Sequence, residues 1–251
     1  MIDDLLGLTL RTLRRRGLRS VLTMLGIFMG IAAVVSLISL GEGLRSGVVD
    51  QFAQIGSDRI TISASGSGFG PPGSTSVEKL TEDDVDAIRD TRGIKVATSR
   101  LIRTTPVEFN DIQNFEFIVS MPENTEERNL VVQSLNLEAE EGRMLRSNNG
   151  FKIMLGQEFK TKDVYGKNPR VGSKLSINGK DADVIGFFNK QSNPQFNNMI
   201  IMNQEAMEDA LGFENQADLI VAQVISVNDI ERTVENVEKV MRKQRDVERG
   251  K

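Results

Sequence analysis

The residues that most often carry catalysis are missing from this chain. Its 251 residues include no His and no Cys. Without His it lacks the usual general base and the commonest zinc ligand. Neither a Ser-His-Asp triad nor a Cys-His pair can be assembled within it. Ser173-Lys174 leaves a Ser–Lys dyad formally open. Adjacent residues on a strand point to opposite faces, so that spacing predicts solvated surface rather than a nucleophile and its base. Glu82, Asp83 and Asp84 could be nominated as metal ligands. They follow Thr81 at the head of a helical pattern, where acids complement the helix macrodipole. Gly66-x-Gly68-x-Gly70 looks like a phosphate cradle, but no Gly-Lys-Ser/Thr follows and no helix opens directly behind it. The expectation is no enzyme, and no metal or cofactor bound by this chain.

Another kind of spacing suits contact with helices. Gly26 and Gly30 form a G-x-x-x-G with Ala33 almost one turn further on. Small residues at that interval let a second helix approach closely. They lie inside Ser20 to Gly41, SVLTMLGIFMGIAAVVSLISLG, with no charge between Arg19 and Glu42. As a helix this run reaches about 33 Å, enough to cross a hydrocarbon core of roughly 30 Å. In lipid each backbone donor and acceptor must be satisfied within the segment, which leaves helix as its state. Arg11, Arg14, Arg15, Arg16 and Arg19 precede it, whereas Glu42, Arg45 and Asp50 follow. Excess Lys/Arg marks the cytoplasmic side, so the N-terminus is expected inside the cell membrane and residues 42–251 outside. A cleaved signal has a shorter apolar region of roughly 7–15 residues and an A-x-A-like end. Ser39-Leu40-Gly41 is a poor match, and an uncleaved anchor is predicted. Residues 1–19 place Leu6, Leu10 and Leu13 on one helical face. They read as a cytoplasmic amphipathic lead against membrane lipid.

The outer part is long enough to bury a core. It carries 26 basic and 33 acidic groups, and without a basic stripe it is not expected to bind nucleic acid. Glu42 to Phe52 continues as a helix, which Gly56 would cap. Arg59–Ser63 alternates like a strand and Ala64 to Ser76 is a Gly/Ser/Pro loop. Thr81 caps a helix with Val85 and Ile88 inward. Lys95 to Thr105 resumes strand character. Residues 106–203 change style, with short apolar runs at Phe115–Met121, Phe151–Leu155, Lys174–Ile177, Asp183–Phe188 and Met199–Met202. Asn178-Gly179 marks a hairpin, and a brief helix is expected near Gln157–Val164. Leu219–Val227 is a strand. Asn228–Arg245 is an amphipathic helix with Ile230, Val234, Val237 and Met241 inward. The closing strand and helix would complete the first layer, with a β-rich part inserted in it. The fold class is α+β.

The order of several short segments resembles a known family. Leu18-Arg19-Ser20-Val21-Leu22-Thr23-Met24-Leu25-Gly26-Ile27, then Gly30-Ile31, open the apolar helix. Ile55-Gly56-Ser57-Asp58-Arg59-Ile60 and Leu80-Thr81-x-x-Asp84-x-x-Ala87-Ile88 follow, then Glu141-Gly142-Arg143, Leu155-Gly156, Val171-Gly172 and Val184-Ile185-Gly186. The set is similar to the N-terminal half of MacB/FtsX-like ABC transporter permeases, along essentially the whole chain. That resemblance implies an extracytoplasmic two-lobe domain: a porter-like α/β lobe over 42–105 and 216–251, and an inserted β-rich lobe over 106–215, after a 20–41 transmembrane helix. It further implies a homodimer or heterodimer of permeases and a separate cytoplasmic ABC ATPase that binds the ATP, with room for an extracytoplasmic adaptor. ATP hydrolysis would move the outer domains, for export of a substrate or transmission of a signal. Family members normally carry three more membrane helices after this domain, and the sequence stops at Lys251 before them. A portion of a permease is therefore expected. The alternative is a stand-alone single-pass anchored binding or adaptor module.

Overall fold

The computed structural model describes residues 17–55, 58–63 and 79–245. The lead with Arg11, Arg14, Arg15 and Arg16, the Gly56 cap and the Ala64 to Ser76 loop lie outside the described residues. The chain divides into two units, residues 1–51 and 52–251.

Helix α1 runs over Gly17–Ile55 without a break, and Arg19 falls within it. Its segment Val21–Leu40 is long and apolar enough to cross a membrane, and none of it is buried. Exposed large apolar side chains include Phe28, Leu37 and Ile38. In water such a surface would aggregate; in lipid it faces a solvent as apolar as itself.

The second unit has two lobes. The first is a three-stranded antiparallel sheet of β1 (Arg59–Ser63), β2 (Ile94–Arg100) and β10 (Leu219–Val224), with β10 central. Ile60 stands opposite Ala222, and Ala222 opposite Ala97. One sheet face packs on α2 (Glu82–Arg89) and α5 (Ile230–Gln244) around Val85, Ile88, Ile220 and Val237. Ile230 and Met241 pack against this core, whereas Val234 is only half-buried. Buried Thr233 takes an inward place on α5 beside them. It lies against Gly93, where a Cβ would stand 2.4 Å from the Thr233 hydroxyl oxygen at a φ of +103°. Thr81 caps α2, and the Asp84 carboxylate reaches back to the Thr81 N–H at 2.9 Å, closing a capping box.

The strand expected over 95–105 is two strands in two sheets. β2 ends at Arg100 and β3 (Ile102–Phe109) begins in the second lobe. Leu101 is wholly buried in that lobe's core and turns the chain across. The second lobe holds β3, β4 (Ile112–Met121), β5 (Ala139–Gly142), β6 (Lys152–Leu155), β7 (Lys174–Ile177), β8 (Lys180–Phe188) and β9 (Met199–Asn203), in the order β5-β8-β6-β9-β4-β3-β7. β7 also pairs with β8, which closes six of these strands into a barrel, with β5 added on the edge of β8. Ile118, Ile153, Leu155, Val184, Phe187 and Ile200 fill the interior. Alternate residues Val119, Met154, Ile185, Phe188 and Ile201 form an outer core with α3 (Thr125–Ser134).

A bulge in β8 at Ile185–Gly186 shifts the pairing, so that Val184 and Phe187, three apart, both point inward. Gly142 lies against it at a φ of +77°, and a Cβ there would meet the Ile185 carbonyl at 2.2 Å. Asn178 and Gly179 join β7 to β8 with positive φ of 48° and 84°, as their pairing predicts. The brief helix near Gln157–Val164 is a single 3-10 turn, Gln157–Lys160. The β-rich lobe also carries two helices that the apolar runs did not reveal, α3 and α4 (Gln204–Leu211).

Candidate functional site

Three features could serve function: the open face of α1, the seam between the lobes, and a concave acidic surface. On α1, Gly26 and Gly30 lie one turn apart, and a Cβ built on either meets nothing within 4 Å. The face that small residues keep low is thus clear of this unit's own atoms. That geometry admits a second helix at close range.

The seam is polar. At its centre Asp218, fully buried, precedes β10. Its carboxylate accepts from the Ile102 N–H at 2.7 Å, pairs with Arg103, and faces the Lys79 ammonium at 3.3 Å. Its own N–H donates to the Arg100 carbonyl at 3.0 Å. Arg103 also donates to Gln216 at 3.2 Å and lies 4.8 Å over the Phe213 ring. Burial depresses the Arg103 guanidinium; burial and the Arg103 charge depress Lys79. Further along, Glu127 of α3 accepts from the Thr98 hydroxyl at 2.8 Å and from Arg89 at 3.0 Å. Ser99 donates to Glu82 at 2.6 Å. Arg100 is buried, its Nε has no hydrogen-bond partner among the described residues, and burial pulls the group down to about 10.

The acidic surface borders α4. A cavity of about 580 Å³ is lined by Glu205, Glu208, Asp209, Gly212, Phe213 and Glu214. A neighbouring one of about 290 Å³ shares Glu205 and Asp209 with it. Burial raises the Glu208 carboxyl; a Gln204 hydrogen bond opposes this, and the charges of Glu82, Glu205 and Glu214 add to it.

The earlier candidates fall as follows. Ser173 accepts from the Arg170 N–H at 2.9 Å in a turn, while Lys174 is exposed at the start of β7. Glu82 and Asp84 serve Ser99 and the α2 cap, and Asp84 also receives Arg245 at 2.7 Å. Among the described residues no group of three His, Cys, Asp or Glu side chains is arranged to hold a metal ion. Sequence reasoning missed Asp218, Arg103 and Glu127. Asn124 ahead of Thr-Glu-Glu was the available signal for α3, because its side chain accepts from the Glu126 N–H at 2.8 Å as an N-cap.

The family model for the MacB-like periplasmic core domain matches residues 20–240, from the apolar helix into α5. The chain belongs to that family. An uncharacterised ABC transporter permease of Methanocaldococcus jannaschii is 27% identical over 243 residues, covering 96% of this chain and 59% of that protein. A macrolide export ATP-binding/permease protein MacB of Bartonella quintana is 26% identical over 188 residues, 73% of this chain and 27% of that one. The periplasmic region of MacB from Actinobacillus actinomycetemcomitans superposes with a TM-score of 0.59 at 15% identity, over 78% of this chain and 87% of that structure, and it shows the same two-lobe fold. The chain thus spans about three-fifths of the archaeal permease and about a quarter of the Bartonella protein. By homology it is a MacB-like permease component.

Proposed function

We propose that this chain is the N-terminal portion of a permease that converts ATP hydrolysis by a separate cytoplasmic ATPase into movement of its extracytoplasmic two-lobe domain. The observation that carries this is the unbroken helix α1, whose apolar segment Val21–Leu40 continues to Ile55, four residues before the first strand of the MacB-type domain. A continuous helix passes displacement along its axis, where a flexible linker would absorb it. The arginine-rich start supports an N-terminus in the cytoplasm, with residues 42–251 outside. Gly26 and Gly30 supply a contact for a second membrane helix, of another permease copy or of the same permease. The substrate or signal belongs to the complete transporter.

Reconstitution of the complete reading frame with its ATPase in liposomes tests the reading. ATP hydrolysis by the ATPase should rise when the permease is present. It should fall back when Gly26 and Gly30 are both replaced by Leu, without loss of the permease from the membrane. Hydrolysis indifferent to the permease would overturn the coupling.

A further inference from the structure

The contacts that join the two lobes are of a different kind from those that build each lobe. Each lobe has its own apolar core: Val85, Ile88, Ile220 and Val237 in one, the barrel interior and the α3 layer in the other. Between them polar side chains meet: Gln204 of α4 donates to the Ser99 hydroxyl of β2 at 3.3 Å, and two further groups of contacts differ in kind. Where the chain crosses at Leu101 and returns before Asp218, the buried Asp218 carboxylate holds both passages, through the Ile102 N–H, Arg103 and Lys79. Ser120 adds to this side, its hydroxyl accepting from the Leu101 N–H at 2.9 Å and its N–H donating to the Leu101 carbonyl at 2.9 Å. On α3 the lobes meet through side-chain hydrogen bonds without a covalent crossing. They are Glu127 to Thr98 and Arg89, and Arg59 to Gln133 at 3.4 Å. Arg89 is 43% exposed there.

We infer that the seam is a latched hinge, with Asp218 and the paired chain crossings as pivot and Glu127 of α3 as a latch that can release. The pivot resists because removing the Asp218 carboxylate takes the countercharge from the partly buried Arg103 and leaves the Ile102 N–H without its acceptor. The latch yields because its bonds are partly solvated, and water can replace each of them at small net cost. Opening would also let water reach the buried Arg100 Nε, which has no hydrogen-bond partner among the described residues. The released state is therefore a hydrated seam, with both apolar cores unchanged.

The absence of native Cys makes the test direct. Lys239, exposed on α5, and Lys167, exposed on the barrel, are replaced by Cys in the full 251-residue chain in detergent and carry spin labels. Pulsed electron resonance then reads the distribution of distances between the lobes. With Glu127 intact one narrow distance is expected. Glu127→Ala should raise a second population roughly tenfold, equivalent to about 1.4 kcal/mol, while the near-ultraviolet dichroism of the barrel, dominated by buried Tyr165, stays as it was. Asp218→Asn should broaden the whole distribution. If that variant fails to fold, raising ionic strength on the Glu127 form is the substitute and should feed the same second population. An unchanged single distance in Glu127→Ala and at high salt would overturn the hinge. The measurement needs no ATPase, so its failure would leave the coupling reading standing, and the reverse.

Discussion

The segment Val21–Leu40 and the barrel interior are built from the same aliphatic and aromatic residue types, yet every side chain of the first is exposed and nearly every one of the second is sealed. The difference lies in geometry and in which solvent completes it. In the barrel, alternation along each strand and the β8 bulge turn one set of apolar residues inward, and protein atoms supply all the contacts. Along α1 the apolar residues run all round the helix, so no single neighbouring surface could cover them. Hydrophobicity alone does not say what a residue will touch; its period does.

Substitutions can sharpen that contrast. Phe187→Ala would empty part of the barrel and should cost about 3–5 kcal/mol in urea unfolding, since Phe187 is almost fully buried. Next in size, Ile31→Arg puts a charge at mid-helix, and should oppose membrane insertion by about 3 kcal/mol in a translocation assay while barrel unfolding is unmoved. An Ile31→Arg chain that inserts as well as its parent would break the comparison at its root.

Two buried carboxylates respond to pH in opposite senses. Burial alone would raise Asp84, but hydrogen bonds and charge from Arg245, with hydrogen bonds from Thr81, prevail and hold it below its ordinary value. Its contribution is therefore present at neutral pH and is lost as pH falls below the usual carboxylate range. Asp84→Asn should cost about 2 kcal/mol at neutral pH, and the difference should shrink on acidification. Burial raises Glu116, against the lowering effects of the Lys162 charge and the Tyr165 hydroxyl, which donates to Glu116 at 3.1 Å. The folded state then binds this proton more tightly than the unfolded one. Its stabilising share is complete only below the unfolded pKa and is lost as pH rises through the folded value. Glu116→Gln should thus stabilise the chain at neutral pH and make no difference in acid. The smallest effect is expected at Phe115, 73% exposed on the outer side of β4. Phe115→Ser should shift stability by no more than about 0.5 kcal/mol.

Much of this architecture was legible before any coordinates. The apolar run gave α1 because a helix is its only satisfied state in lipid. Asn178-Gly179 gave a hairpin because both residues accept positive φ. Thr81 and the acids after it gave α2. Strand β3 was cut short by Pro106, normally a strand breaker. It is tolerated because its carbonyl, and with it the donor-less nitrogen, points away from β4 to the end of β7, where the Asn178 N–H donates to that carbonyl at 3.0 Å. Helices α3 and α4 were hidden for another reason. In α3 the buried side mixes Arg128 and Ser134 with Leu130 and Val131, while α4 has an inward face of Ala206, Met207 and Ala210 but is only eight residues long and follows directly on β9. Asp218 was illegible in principle. One acid between Ala217 and Leu219 looks like any loop carboxylate, and only the return of Ile102, Arg103 and Lys79 to its side makes it central.

The placement of β1 has a consequence for synthesis. Strand β1 is finished at Ser63, but the strand it pairs with, β10, begins at Leu219. At ordinary translation speed β1 waits on the order of 10–30 s for its partner to be made. During that interval Ile60 and Ile62 have no sheet to lie in, while the whole barrel can form from residues made in between. The nascent chain can therefore complete its barrel while β1 is still unpaired. A holding chaperone would be needed most in that window, and slowing synthesis should increase aggregation, not relieve it.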